Sequence, residues 1–285
     1  MNERIVYTFT LKALTPVHFG DGDGSLVKNA KGQYFLPGTS IGGALRECLV
    51  QARKSEDWIR KFMGGVEKDE TFIESRLFIS NGTLKGNFTC RKEEGTAVCR
   101  ELGTAIPLLK YNFDYLDGPL EMTFRIECDV PSKDDGSIDR EELERLIDIW
   151  AEGIRRGILR FGGKKNHDFG RFALTGIERT IHSLNSVEEL DAYIFNRKDR
   201  KGEPYRPGTT SPYSFEANAQ LLFQMKGSFP YGVYQSYKSQ ESHRLTGIRK
   251  NARGYYLPAS SVKGLIRSEV ELLITRMTGD AEMAR

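Results

Sequence analysis

The chain has 285 residues, 39% hydrophobic and 28% charged, a balance that buries a core and excludes a disordered or fibrous polymer. Its net charge of +3 is too small to mark the whole surface as a nucleic-acid footprint, so any basic site has to come from local clustering. Four scattered cysteines, Cys48, Cys90, Cys99 and Cys128, form no CxxC pair, which argues against a zinc site or a disulfide framework. Cys48 and Cys128 fall on apolar faces as small core residues. The first residues, MNERIVYTFTLKAL, have no signal-peptide h-region, and no run of about 18 apolar residues suits a membrane span, so a reducing cytoplasm is expected.

From the amino terminus, Ile5, Tyr7, Phe9, Leu11 and Ala13 share one face of an alternating run, the pattern of a half-buried strand. The next loop, TPVHFGDGDGSLVKNAKGQ (15–33), holds His18, Asp21, Asp23, Lys28 and Lys31, and Gly20, Gly22 and Gly24 are expected to leave it mobile. It lacks the acidic position of an EF-hand, which excludes a calcium loop of that kind. A polar Asp/Gly turn is the plain account. The chemical account is a carboxylate beside lysines that activates a 2′-hydroxyl or holds a hydrated Mg2+. A helix then follows YFLPGTSIGGALR (34–46), with Thr39 or Ser40 as its cap and Ile41, Ala44, Leu45, Cys48, Leu49 and Ala52 as its apolar stripe. Gly43 costs that helix about 1 kcal/mol. It points either to tight helix–sheet packing or to close approach of a backbone or phosphate.

Residues 71–80 read as a strand. Over 82–118, Arg91, Lys92, Arg100 and Lys110 interleave with Phe88, Tyr111, Phe113 and Tyr115, which suits single-stranded nucleic acid, and a Glu-Glu-Gly turn closes a projecting hairpin. Residues 120–130 alternate as a strand. A helix runs from about 138 to 158, capped by Ser137 or Asp139, with Leu143, Leu146, Ile147, Trp150 and Ile154 inward. FGGKKNHDFGRF (161–172) then leads into a closing strand over about 171–180. Gly162, Gly163 and Gly170 make a flexible loop whose N–H groups ring a phosphate, with Lys164, Lys165, Arg171 and the preceding Arg155, Arg156 and Arg160 as a basic patch. A solvated turn is the plainer account of the same residues. No GK[ST] follows, so it is not a nucleotide P-loop. His167 and Asp168 shape the loop or touch RNA, since neighbouring residues without a nucleophile make a poor catalytic pair.

The order strand, helix, strands, helix, strand predicts an α+β, ferredoxin-like domain over 1–180, an antiparallel sheet with both helices on one face. Residues 181–214 read as a basic, Pro/Gly-rich linker. The remainder, 215–285, repeats the beginning. YYLPASSVKGLIR (255–267) aligns without gaps on YFLPGTSIGGALR, pairing Leu36 with Leu257, Ser40 with Ser261, Gly43 with Gly264 and Arg46 with Arg267. Ala217, Ala219, Leu221, Phe223 and Met225 predict the repeat's first strand, and Val262, Leu265, Ile266, Val270 and Leu273 the stripe of its helix.

Taken together, HFG (18–20), YFLPGTSIGGALR, FMGG (62–65), ESRLFIS (74–80), CRELGTA (99–105) and GGKKNHDFGRF (162–172) resemble the RAMP superfamily of CRISPR proteins, and HRLTGIRKNARGYYLPASSVKGLIR (243–267) repeats the likeness. The form resembled is the Cas7-like backbone subunit of type III effectors, with RAMP domains in tandem. The resemblance implies a prokaryotic, cytoplasmic ribonucleoprotein subunit that holds crRNA, meets target RNA and neighbours other effector subunits. Guide phosphates would lie on Thr39, Ser40, Gly43, Arg46, Gly162, Gly163, Lys164 and Lys165. Further RNA contacts would come from His18, Lys28, Arg91, Lys92, Arg100, Asn166, His167 and Arg171, and in the repeat from Ser260, Ser261, Lys263 and Arg267. The hairpin at about 85–115 would be a thumb that kinks the guide–target duplex. Asp23, or failing it Asp21, would cut target RNA through 2′-hydroxyl attack aided by a divalent cation such as Mg2+, making the chain a metal-dependent endoribonuclease. The repeat has no aspartate in HRLTGIRKN and would bind without cutting, unless Glu241 substitutes. Three alternatives stay open: a scaffold that does not cut, a nuclease processing precursor crRNA through His18, His167 or His243, and an unrelated enzyme binding a small phosphate ligand.

Overall fold

A computed structural model describes residues 3–20, 22–66, 71–99, 105–130, 138–195, 202–208, 215, 234–238, 244–248, 250–251 and 254–279. The opening alternation forms β1 (Glu3–Ala13), with Ile5, Tyr7, Phe9 and Leu11 fully buried on one face. Along the chain follow β2 (Phe35–Leu36), α1 (Gly38–Gln51), α2 (Glu56–Met63), β3 (Gly65–Val66), β4 (Phe72–Ile73), β5 (Leu77–Ile79) and β6 (Gly82–Lys85). A long hairpin of β7 (Thr89–Val98) and β8 (Ala105–Asp117) comes next, then β9 (Glu121–Val130), α3 (Arg140–Arg155), a 3-10 turn (Lys165–His167) and β10 (Phe172–Ser183). After these lie α4 (Val187–Phe195), β11 (Glu203–Pro204), β12 (Tyr234–Lys238), β13 (Arg244–Ile248), β14 (Lys250–Asn251), β15 (Gly254–Tyr255) and α5 (Ala259–Thr278).

β1 sits between β9 and β10, antiparallel to both, with Phe9 opposite Phe124 on one side and Ile177 on the other. The sheet runs β11-β10-β1-β9-β6-β2, and β5 also pairs with β9. With β5 and β6 counted as the second strand, this is the expected ferredoxin-like β-α-β-β-α-β arrangement. The two long helices cover one face. Trp150 of α3, fully buried, donates its indole N–H to the Leu45 carbonyl of α1 at 3.1 Å. Beneath them Phe9 and Phe124 stack at 5.1 Å. Asp139 caps α3 by accepting the Glu142 N–H at 2.6 Å, as expected; Ser137 lies outside the described residues. Burial pushes the Cys48 and Cys128 thiols up to about 12, fitting inert core residues.

Several local expectations need correction. Neither Thr39 nor Ser40 caps α1, because the helix already begins at Gly38, behind Pro37, and no side chain caps it. The Gly38 N–H is taken instead by Asn81 Oδ1 at 2.8 Å. Residues 71–80 form two short strands; between them the Ser75 hydroxyl donates to the Leu77 carbonyl and accepts the Leu77 N–H, turning the chain. The Glu-Glu-Gly segment does not turn: Glu93, Glu94 and Gly95 pair with Phe113, Asn112 and Tyr111 in mid-hairpin. The stretch read as a linker adds structure to the first unit. β11 extends the sheet through Glu178 opposite Pro204, and Phe215, read from sequence as the start of the repeat, is buried in the main core.

The other sheet face is not a bare stacking platform. Its middle rows carry Thr8, Thr10, Thr123, Arg125 and Glu178, and α4 covers one end. There the Tyr193 hydroxyl donates to Glu127 Oε2 at 3.1 Å and accepts from Arg4 Nη1 at 3.2 Å. The middle rows of this face therefore offer no aromatic platform of the kind on which single-stranded nucleic acid stacks.

The repeat is visible locally. α5 starts behind Pro258 with no side-chain cap, as α1 starts behind Pro37, and the two prolines have nearly the same backbone angles (φ −58 and −57, ψ 135 and 139). Lys250 and Tyr255 pair across β14 and β15 with the ammonium 5.3 Å from the ring centre; Lys28 and Tyr34 form the matching bridge at 4.8 Å. The stripe residues Leu265, Ile266, Val270 and Leu273 are exposed on α5. The predicted strand over 217–225 lies outside the described residues.

Candidate nucleic-acid interface

Two segments far apart in sequence meet at one edge of the domain. His18, Gly20, Pro37, Ser40, Gly43, Gly162, Gly163 and Lys165 line a single cleft of about 260 Å³. Ser40, Gly43 and Glu47 share the exposed face of α1 by helical spacing, and Glu47 joins the lining. Lys165 crosses the cleft to pair with Glu47, tying the glycine turn to the helix.

The turn is held by backbone hydrogen bonds. The Gly163 N–H donates to the His18 carbonyl at 2.8 Å, and the Gly170 N–H to Pro16 at 2.9 Å. The His167 and Asp168 N–H groups close the 3-10 turn on Lys164 and Lys165. Most of the N–H ring expected to hold phosphate is therefore occupied by protein carbonyls. Gly162 adopts φ +88, and a Cβ there would meet the His18 oxygen at 2.5 Å. The glycines are needed for this contact. The His18 Nδ1 lies 2.6 Å from the Asp114 carbonyl; a carbonyl only accepts, so Nδ1 carries a proton.

About half the charge of the basic patch is offset within the protein, six cations standing against Glu152, Asp168 and Glu47. Arg155 and Arg156 both pair with Glu152, and Arg160 donates to Asp168 at 3.1 Å and to the Lys165 carbonyl at 3.3 Å. Arg171 also approaches Asp168, at 3.8 Å, which makes Asp168 the loop-shaping residue. Lys164 leaves the cleft, its ammonium 4.5 Å from the Phe113 ring centre. Arg160 and Arg171 brace the turn through Asp168, whereas Arg155 and Arg156 are paired within their own helix.

Backbone hydrogen bonds tie down the described residues of the first loop. Val17 and Leu116 exchange hydrogen bonds, the Val27 N–H reaches Phe19 at 2.8 Å, and the Asp114 N–H reaches Gly24 at 2.9 Å. Asp23 is exposed, accepts the Ser25 N–H at 2.7 Å and lines neither cleft described here. Lys28 lies over Tyr34, at the hairpin base. Asp21, Arg100, Glu241 and His243 lie outside the described residues. On the hairpin, Arg91 pairs with buried Asp117 at 3.3 Å, and Lys92 is exposed on the opposite face.

Arg46 does not face the cleft. It donates to Glu56 at 3.2 Å, Met63 at 3.1 Å and Gly64 at 2.5 Å, collecting the carbonyls at the end of α2, which attract a guanidinium. Arg46→Met is expected to cost about 1–2 kcal/mol in a denaturant melt. Arg267 likewise pairs with Glu271 along α5.

A second cleft, of about 550 Å³, opens on the other side of the turn, and Lys165 lines both. It brings Asn166 and His167 against Pro258, Ala259 and Lys263 of the repeat. Ser260 and Ser261 sit in the first turn of α5 but do not line it. The glycine turn is thus flanked by both LP helix starts. Glu47, Glu93 and Phe169 escaped the sequence reading. Glu47 is legible from its spacing to Gly43, whereas Glu93 and Phe169 need the hairpin register.

Among the described residues no three His, Cys, Asp or Glu side chains group to hold a metal, and no helix is long and apolar enough to cross a membrane. No curated protein matches the chain. The family model of the RAMP superfamily, whose members work with RNA in CRISPR complexes, matches residues 10–173. That span runs from within β1 through the first loop, the hairpin and the glycine turn to the start of β10. Fold, turn and family model coincide over more than half of the sequence, and the chain belongs to the RAMP superfamily.

Proposed function

We propose that this chain is a Cas7-like backbone subunit of a type III, or type III-derived, CRISPR effector complex, which holds crRNA by its sugar–phosphate chain and presents it to target RNA. The carrying observation is that Ser40, Gly43, Gly162, Gly163 and Lys165 line one cleft although about 120 residues separate helix from turn. Neutral glycines and one bridging lysine suit a strand held by backbone and shape, which a guide of any sequence requires. The tandem form, a second unit following the first, is supported by the matched helix starts and the matched Lys–Tyr pairs. Neighbouring subunits of the same superfamily and a prokaryotic cytoplasm belong to the same reading.

In this reading the chain also cuts target RNA. Asp23 offers one carboxylate beside the cleft loop, so a hydrated Mg2+ fits only with RNA phosphates and water among its ligands. The metal would supply charge stabilisation for the 2′-hydroxyl's attack; the chain's own part is to position the strand. A scaffold that does not cut is favoured by one observation: the Asp23 carboxylate is engaged by its own loop. Asp23→Ala separates the two. Cutting by this residue requires target cleavage to fall at least about 100-fold with guide affinity unchanged. Cleavage that persists in the variant rules Asp23 out. Binding itself is tested by titrating RNA at two salt concentrations: with one lysine in the cleft, affinity is expected to fall only modestly with salt, and no binding at low salt overturns the reading.

A further inference from the structure

The smaller cleft holds an anion of its own. Glu47 and Lys165 both line it, and they pair across it. Glu47 stands one helical turn beyond Gly43 and two beyond Ser40, on the face of α1 that a bound strand would follow. The helix itself does not call for a carboxylate there. Position 47 lies well past the first turn of α1, where the helix dipole would favour negative charge. The carboxylate's other side-chain contact is a long one from Gln51, at 3.4 Å. Both partners are open to water, Glu47 at 51% and Lys165 at 38% side-chain exposure, and such a pair is weakly held. The Lys165 backbone is fixed, its carbonyl accepting the Asp168 N–H at 3.1 Å and Arg160 at 3.3 Å. The pair therefore opens by moving two long side chains and nothing else.

From this arrangement we propose that Glu47 is an autoinhibitory anion: in the free protein its carboxylate takes the place on Lys165 that a strand phosphate takes in the complex. Carboxylate and phosphate offer the ammonium the same chemistry, charged oxygen acceptors for its three donors. The exchange breaks one ion pair and forms one, so a lone phosphate or nucleotide gains little by it. A strand that also lies against Ser40 and Gly43 brings further contacts to the same exchange. The latch thus favours a strand over small anions at the one lysine of this cleft. The proposal rests on the RNA-binding reading above and deepens it. It differs in sign from the plainer account of the pair as a brace between turn and helix: losing a brace weakens binding, whereas losing a competitor strengthens it.

The test titrates the full chain with a fluorescein-labelled oligouridylate 12-mer by anisotropy, at about 50 and about 200 mM salt. Glu47→Gln removes the charge while keeping the length and helix propensity of the side chain. It is expected to tighten binding about threefold to tenfold at the lower salt. It should also steepen the salt dependence by about one phosphate contact, because Lys165 then meets the strand without a counterion of its own. Glu141→Gln removes the same charge from an exposed residue that lines neither cleft, and its affinity is expected within about twofold of the parent. Misfolding cannot mimic tighter binding, and Glu47→Ala, expected to act in the same direction, serves should Glu47→Gln fail to fold. Unchanged affinity in a folded Glu47 variant overturns the proposal, and weaker affinity assigns the pair to bracing instead. A gain from Glu47→Gln that is undiminished in a Lys165→Gln background also overturns it, since the exchange takes place on that lysine. If the parent does not bind the strand at the lower salt, the RNA-binding reading fails; if the parent binds and the substitution changes nothing, the latch alone is wrong.

Discussion

Gly162→Ala is expected to destabilise the protein by about 2–4 kcal/mol and to weaken RNA binding at least tenfold at temperatures where the variant is still folded. Two costs combine. The residue sits at φ +88, where any Cβ costs about 1–2 kcal/mol. The added methyl would also stand 2.5 Å from the His18 carbonyl and 2.8 Å from the Phe19 ring, so the first loop must move. That same carbonyl accepts the Gly163 N–H, and moving it breaks the link between the two segments that frame the cleft. Gly22→Ala is the control. It too has positive φ, +108, but its Cβ would meet nothing within 4 Å, so only the backbone cost of about 1–2 kcal/mol remains. Denaturant melts of both variants separate the terms, and a Gly162→Ala protein as stable as Gly22→Ala would show that the contact with His18 is not maintained in solution.

What the sequence disclosed and what it concealed divide along a physical line. Strand and helix faces were legible because burial imposes a period: Ile5 to Leu11 and Met122 to Cys128 alternate, and Leu143 to Ile154 recur at helical spacing. The association of the glycine turn with α1 was inferred from motif resemblance, and the cleft brings them together. Side-chain pairing was not legible. Arg46, Lys164 and Arg155 all read as cations available to phosphate, but each has a nearer partner: helix-end carbonyls, an aromatic face and Glu152. A charge in sequence reports potential, and only register and crossing distance reveal what neutralises it. The same holds for Glu93, which looked like part of a turn until its pairing with Phe113 set it on the inner face of the hairpin. The first loop misled for a related reason. Its glycines suggest freedom, but they allow the backbone to lie against β8, as at Gly24, where a Cβ would meet the Asn112 carbonyl at 2.8 Å.

Gly43 gives the most discriminating prediction, because its two effects have opposite signs. Gly43→Ala is expected to stabilise the protein by about 1 kcal/mol, since a helix-interior glycine forfeits that much to alanine. Nothing in the protein opposes the change: a Cβ at Gly43 would meet no atom within 4 Å, unlike Gly42, where it would touch Ile79 at 3.4 Å. Tight helix–sheet packing therefore does not account for the residue, and the open space lies in the cleft with Ser40 and Gly163. A position that gives up helix stability with no protein contact in return is explained by something that arrives later, and a sugar–phosphate strand lying against the helix is what the cleft admits. RNA affinity should fall several-fold in Gly43→Ala and about tenfold or more, at least about 1.4 kcal/mol, in Gly43→Leu, with neither variant less stable than the parent. Gly264 is the repeat's counterpart and is equally open. If each unit holds its own stretch of strand, Gly264→Leu should weaken RNA binding as Gly43→Leu does, and because Lys165 lines the clefts at both helix starts the two losses need not add. A Gly43→Leu protein that is more stable and binds RNA as tightly as the parent would remove the strand from this helix, and with it the reason for a glycine there.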